Sequence, residues 1–483
     1  MSRAFVRTCL RSLALVALAG VTVAGFSAPA LADGSGSSTT ASPNGQINVL
    51  TPNVYPGGQI QWTATGLTPN ATLDLDWQTV SGHWVVDGDN LGTTTEKPAS
   101  YTFSSTQIGT VQATATGTAT GSFPVPAGFG GTHNFQLTDQ DGTVEAVGSV
   151  AEWPSATIAQ TTEPQGGFFQ IQVLGLAYTP YTSDYGVLYD DHYMGFISAV
   201  STDGTAKFEV RAEGVGNHQI SLRGAGVWGP YLNQEESPYP LNPRYYWNVR
   251  VTQATPKTIL DPEPAVVLPE GTNLTVTPTS GVVGSPITLQ GHGLPANETL
   301  NIIWNTMSGS RVTASMYQTA TIELATVTTD ATGAFTWKGT VPNDLGGPPH
   351  EIDVEDQSQS ILGSAQYRIL PQFISVTPDP AKQGSLMTVH LTGVGWTEYD
   401  NIYAVDYDNA FMGYACGFNS HGDVHIQIPA VGALGYHFID IYPSPYMGSS
   451  TFPNWWGMPQ LTYAQDHPGD TLPAFHLVIK VAR

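Results

Sequence analysis

Gly131-Thr132-His133-Asn134-Phe135-Gln136-Leu137, Gly216-Asn217-His218-Gln219-Ile220-Ser221-Leu222, Pro348-Pro349-His350-Glu351-Ile352-Asp353-Val354 and Gly435-Tyr436-His437-Phe438-Ile439-Asp440-Ile441 are four versions of one phrase. In each, apolar residues stand two and four places after the histidine. Positions i, i+2 and i+4 share one face of a strand, so the histidine is expected on the core-facing side. An earlier strand recurs as well. Ile60/Trp62/Ala64, Phe169/Ile171/Val173, Ile287/Leu289 and Met387/Val389/Leu391 alternate with mostly polar or small neighbours, each set following a glycine-bearing turn. Period-two alternation with Gly and Pro punctuation predicts antiparallel sandwiches, an all-β chain.

The four segments fall into two kinds. Thr72-Leu73-Asp74-Leu75-Asp76-Trp77 resembles Thr299-Leu300-Asn301-Ile302-Ile303-Trp304, and Tyr189-Asp190-Asp191-His192-Tyr193-Met194-Gly195 resembles Tyr407-Asp408-Asn409-Ala410-Phe411-Met412-Gly413. The spacing within these pairs nearly equals that within the histidine pairs, so the chain reads as a duplicated unit, A-B-A′-B′. The expected divisions are A over 47–152, B over 153–253, A′ over 271–370 and B′ over 371–483. The stretch 33–46 reads as a flexible Ser/Thr/Gly lead-in. The stretch 254–270, with Pro256, Pro262, Pro264 and Pro269, reads as a stiff spacer. Short A-to-B junctions at Trp153-Pro154 and Leu370-Pro371 predict rigid A-B units, with the two halves moving against each other.

Residues 1–32 carry the marks of a signal peptide: Arg3, Arg7 and Arg11, an apolar run from Ser12 to Phe26, then Ala30-Leu31-Ala32. That run is short for a membrane span, so cleavage after Ala32 and export are expected rather than a retained anchor. Cys9 would leave with the leader, making an intramolecular disulfide impossible and leaving Cys416 as a small core filler. Charge supports an extracellular setting of a particular kind. The chain carries −23, and −26 once the three leader arginines are lost. Unaided nucleic-acid binding and membrane insertion are therefore not expected.

The run Leu274-Thr275-Val276-Thr277-Pro278, with Gly291-His292-Gly293-Leu294-Pro295-Ala296-Asn297, resembles bacterial immunoglobulin-like repeats of the IPT or TIG type. The resemblance implies tandem immunoglobulin-like β-sandwiches and no catalysis. Such repeats occur in secreted adhesins, in cell-surface scaffolds and beside polysaccharide-active enzymes.

Chemical motifs are sparse. No Gly-x-Ser-x-Gly, His-Glu-x-x-His or Walker loop occurs. The repeated histidines lie one per segment and are expected to bond backbone, not a metal. His421 and His425 form the tightest pair, but on a strand they would stand about 13 Å apart. Asp139-Gln140-Asp141-Gly142 and Asp87-Gly88-Asp89-Asn90 read as hairpin turns in preference to calcium loops. No cofactor is expected. The informative anomaly is aromatic: Trp228, Tyr231 and Tyr245-Tyr246-Trp247 in B, then Trp455, Trp456 and Tyr463 in B′, sit in or after long late insertions. Either these rings stack on a sugar or partner protein, or they fold back as packing. Trp228, Tyr231, Trp455 and Trp456 are the candidate ligand residues. The expected function is a secreted, non-catalytic attachment protein whose partner is a glycan or a cell-surface protein. A polysaccharide-binding module is the alternative and an enzyme the third choice.

Overall fold

The computed structural model describes residues 44–86, 96–179, 182–224, 229–237, 241–309, 317–397, 400, 402–417, 420–444, 457–467 and 471–483. The signal peptide, most of the lead-in, Asp87–Asn90, Trp228, Trp455 and Trp456 lie outside them. Strands dominate, and a single 3-10 turn at Gln234–Glu236 is the only helical element among the described residues. No helix there is long and apolar enough to cross a membrane.

The strands form eight sheets that pair around four large apolar clusters, giving tandem immunoglobulin-like β-sandwiches. In each pair a three-stranded sheet faces a larger one. In A the small sheet is Gln46–Val49, Gln59–Thr65 and Ala119–Pro124, with Gln59–Thr65 central. The facing sheet runs Asn53–Val54, Val144–Glu152, Gly131–Thr138, Thr72–Val86, Glu96–Gln112. B, A′ and B′ repeat this plan, including the short parallel strand at one margin: Thr162–Pro164, Ser280–Gly281 and Ala381–Lys382 take the place of Asn53–Val54.

The alternation read from sequence is the burial pattern observed. Ile60, Trp62, Ala64, Phe169, Ile171, Val173, Ile287, Leu289, Met387, Val389 and Leu391 are all buried. Removing apolar area from water at about 25 cal/mol per Å² is what holds each sandwich, and the described residues include no disulfide. Cys416 is half-buried at the end of strand Ala410–Cys416.

Each conserved-looking phrase has a partner that the sequence did not join to it. The histidine rings stack on the aromatic of the neighbouring strand: His133 on Trp77 (4.7 Å), His218 on Tyr189 (5.0 Å), His350 on Trp304 (4.5 Å) and His437 on Tyr407 (5.7 Å). In A and A′ both ring nitrogens meet backbone oxygens. His133 lies 3.1 Å from Gln78 O and 2.7 Å from Phe129 O; His350 lies 2.8 Å from Asn305 O and 2.7 Å from Leu345 O. In B and B′ one of these oxygens is replaced by a turn carboxylate. Asp190 and Asp191, like Asp408 and Asn409, both take positive φ and close two-residue hairpins. The first Asp of each turn then reaches the histidine Nδ1 at 2.6 Å, Asp190 to His218 and Asp408 to His437. The expected backbone role of these histidines is therefore met, with a carboxylate added in the B kind. That hydrogen bond to Asp408 raises the His437 pKa, whereas burial lowers that of His133.

The acidic turn at Asp139 is an ordinary Asx turn: its carboxylate accepts from Asp141 N (3.0 Å) and Thr143 N (2.8 Å), with Gly142 at positive φ.

Candidate functional site

The Pro-rich stretch is anchored. Ile259–Leu260 forms a short antiparallel strand against Phe475–Ala482 of B′, and Asp261 exchanges bonds with Ala474. It is thus joined to B′ along part of its length, a departure from the spacer expected between independently moving halves. The physical reason is hydrogen bonding: Phe475–Ala482 offers an edge there, and a chain already extended by prolines adds to it.

B and B′ are also locked face to face. Arg211 ends strand Ala206–Arg211 of B and is wholly buried. Its guanidinium donates to Asp440 Oδ1 at 2.6 Å and to Leu477 O at 3.2 Å, both in B′, and to Lys257 O of the Pro-rich stretch at 3.2 Å. Asn409 Nδ2 donates to Arg211 O at 2.8 Å. Phe438 stacks 4.6 Å from the guanidinium, and His476 Nδ1 lies 2.9 Å from Asp440 Oδ1. Two further acids, Glu213 and Asp406, are buried in the same junction. Burial first, and then the neighbouring Asp440, push both carboxyls well above the usual range. Burial would do the same to Asp440, but Arg211 and His476 bring it below that range. The acid beside Arg211 is thus shifted toward its charged form, and the other two are shifted toward the neutral one. Buried charges persist in protein only when paired in this way.

The late insertion of B′ completes the lock. Residues 457–467 lie along the edge strand His192–Ser198 of B. Phe196 N donates to Pro459 O and Leu461 N to Phe196 O, both at 2.9 Å. Gly195 takes a φ of +151°, and any side chain there would run into Pro459. Asp466 is fully buried and collects Ser198 Oγ (2.6 Å), Ser201 N (2.8 Å) and, from A, Trp84 Nε1 (2.8 Å). Gln460 donates to Ser198 Oγ and to Asp466 O.

Beside this insertion a groove of about 810 Å³ opens between B, the Pro-rich stretch and B′. Its walls include Tyr442, Tyr463, His476, Glu263, Gln172 and Lys207. His476 connects the groove to the buried acids, but its ring is wedged between Phe168 (4.9 Å) and Tyr442 (5.6 Å). It clamps the junction.

Of the four candidate ligand residues, Tyr231 is described and is exposed. Trp228, Trp455 and Trp456 fall outside the described residues. Of their aromatic neighbours, Tyr245 and Trp247 stack on each other and on the B core, Tyr245 Oη donates to Pro154 O and Tyr463 is buried, whereas Tyr246 is exposed. Where described, then, the late aromatics are mostly junction and satellite core. His421 and His425 are not brought together; His425 pairs instead with His390 on the adjoining strand. The Arg211–Asp440 constellation was missed because its members are far apart in sequence. Arg211 falls in the outward phase of its strand with Lys207 and Glu209, where an arginine gives no sequence signal.

No protein-family model and no curated protein matches this chain. Solved structures do. A Salmonella alpha-2-macroglobulin mutant aligns at 9% identity over 91% of this chain and 32% of that one, with a TM-score of 0.20. Escherichia coli alpha-2-macroglobulin activated by porcine elastase aligns at 10% identity over 91% and 44%, TM-score 0.17. A putative membrane anchored protein from Corynebacterium diphtheriae aligns at 11% identity over 80% and 92%, TM-score 0.18. The chain thus spans about a third of the length of the first of these, and TM-scores this low leave the arrangement of its sandwiches unmatched.

Proposed function

We propose that this chain is an exported, non-catalytic attachment protein, built of four immunoglobulin-like segments of the IPT or TIG kind. The observation that carries the reading is how the described chain is spent: strands enclose apolar cores, and even the late insertion of B′ goes into bonding one segment to another. A strongly acidic set of sandwiches bonded to one another suits presentation at a surface. The groove at the B–B′ junction favours a second reading, a polysaccharide site, because tyrosines beside glutamine, carboxylate and lysine suit a sugar's apolar faces and hydroxyls.

A glycan array and beads coated with residues 33–483 test both. Retention on a cell surface or glycan is expected, lost in a Trp228→Ala/Tyr231→Ala/Trp455→Ala/Trp456→Ala variant if the loops are the contact. Loss in Gln172→Ala/Glu263→Ala instead would assign binding to the groove. Release of sugar from a polysaccharide panel would sink the non-catalytic reading, and retention on no surface would sink attachment.

A further inference from the structure

His390 and His425 are cross-strand partners in the small sheet of B′, on strands Leu386–Thr392 and Val424–Pro429. Met387, Val389 and Leu391 point into the core, so His390 faces outward, and His425 is exposed beside it. Directly opposed residues on one face of a sheet bring their side chains together. The two rings stack at 4.3 Å with planes only 12° apart. Asp423, one residue before His425, sets Oδ1 2.6 Å from His390 Nε2 and 3.4 Å from His425 Nε2. Two imidazole nitrogens and one carboxylate oxygen therefore converge within 4.8 Å of one another.

We propose that His390, Asp423 and His425 form a surface site for a divalent transition metal, with zinc the best match. Imidazole and carboxylate are ligands that zinc accepts at about 2.0–2.2 Å, which in a tetrahedral site spaces donors about 3.3 Å apart. Two of the three pairs are already near or inside that distance, and the exposed His425 and half-exposed Asp423 supply the remaining adjustment. Three protein ligands leave a coordination position open to water or to a donor from another molecule.

The B segment shows that the sheet itself does not require this set. At the matching register its cross-strand pair is Gln172 with Lys207, and Thr205 stands where B′ has Asp423. A lysine there would repel a cation, so one of the two copies alone carries the donors.

Calorimetric titration of zinc into EDTA-stripped residues 33–483 should show a saturable site that magnesium does not fill. His390→Gln/His425→Gln should weaken it at least about tenfold, and Asp423→Asn should weaken it less. Cobalt loaded in place of zinc should give the intense visible absorption of a four-coordinate site, absent from the double variant. Because both histidines face outward, melting of the metal-free variant should match the wild type, which separates ligand loss from misfolding. A zinc isotherm unchanged in the double variant, or no saturable zinc binding by the wild type, overturns the site.

Discussion

B and B′ are copies of one plan, yet at equivalent register positions they hold opposite halves of a lock. Where B ends its strand with Arg211, B′ has Pro429; where B′ has Asp440 opposite His476, B has Ser221 opposite Tyr246; where B′ buries Asp406, B buries Leu188. The edge glycines make the same point. Gly195 and Gly413 share a φ near +150°, but only Gly195 is covered by the late insertion. Duplication supplied two similar surfaces, and divergence made them complementary instead of self-complementary. The contact is heterologous within one chain, so it closes on itself without recruiting a second molecule.

The comparison is broken most sharply at Arg211. Arg211→Ala leaves Asp440 in a dry junction with His476 in place of the guanidinium pair, and should cost about 3–5 kcal/mol in denaturant unfolding. Pro429→Ala, at the same place in the exposed strand end of B′, should change stability by less than about 0.5 kcal/mol. Equal losses at both positions would mean that the junction is not what stabilises B.

The A pair differs in a way that pH exposes. Glu152 of A is buried 3.9 Å from His133, and burial pushes its carboxyl up to about 8. The equivalent register position of A′ is Ile369. A carboxyl whose folded pKa is raised favours the fold while protonated. Its stabilisation is thus complete below the ordinary value of 4.5, declines from there to about pH 8, and is flat beyond. The expected decline is about 2–3 kcal/mol, under the ceiling of about 1.4 kcal/mol per pH unit because water penetration softens the penalty. Glu152→Gln should abolish the slope in A, and an unchanged slope would move the titration elsewhere.

The gentlest test concerns the connection. Protease cutting at Glu263 or Glu270, near the 94%-exposed Val267, should leave both halves eluting together in size exclusion, because Arg211, Asp440 and Asp466 hold them. Separation of the halves would restore the picture of independently moving units.

Local order was legible in the sequence because it depends on neighbours two and four residues away. The alternations at Ile60 and Met387, the acidic turn at Asp139 and the backbone-bound histidines are all of that kind. What could not be read is set by strand pairing within a segment and by contacts between copies. Trp77 and His133 were noticed as separate repeats, yet their stacking depends on strand pairing. The spacing of His421 and His425 sets them apart on a strand, and the partner that register supplies to His425 is His390. Arg211 and Asp440 are far apart along the chain, and no local period links them. The aromatic insertions show the same limit: composition marks Tyr245 and Tyr463 as unusual without saying that they pack inward.

The covering of Gly195 by residues near the end of the chain has a temporal side. Synthesis proceeds from the amino end, so B emerges before Pro459 and Asp466 have been made. During that interval its edge strand is a bare template and Arg211 has no anion. The growing polypeptide therefore carries a vulnerability that only the B′ segment removes, and a chain ending before B′ would be inclined to aggregate. The insertion acts as a finishing latch, its arrival marking the moment when the nascent molecule becomes safe from its own kind.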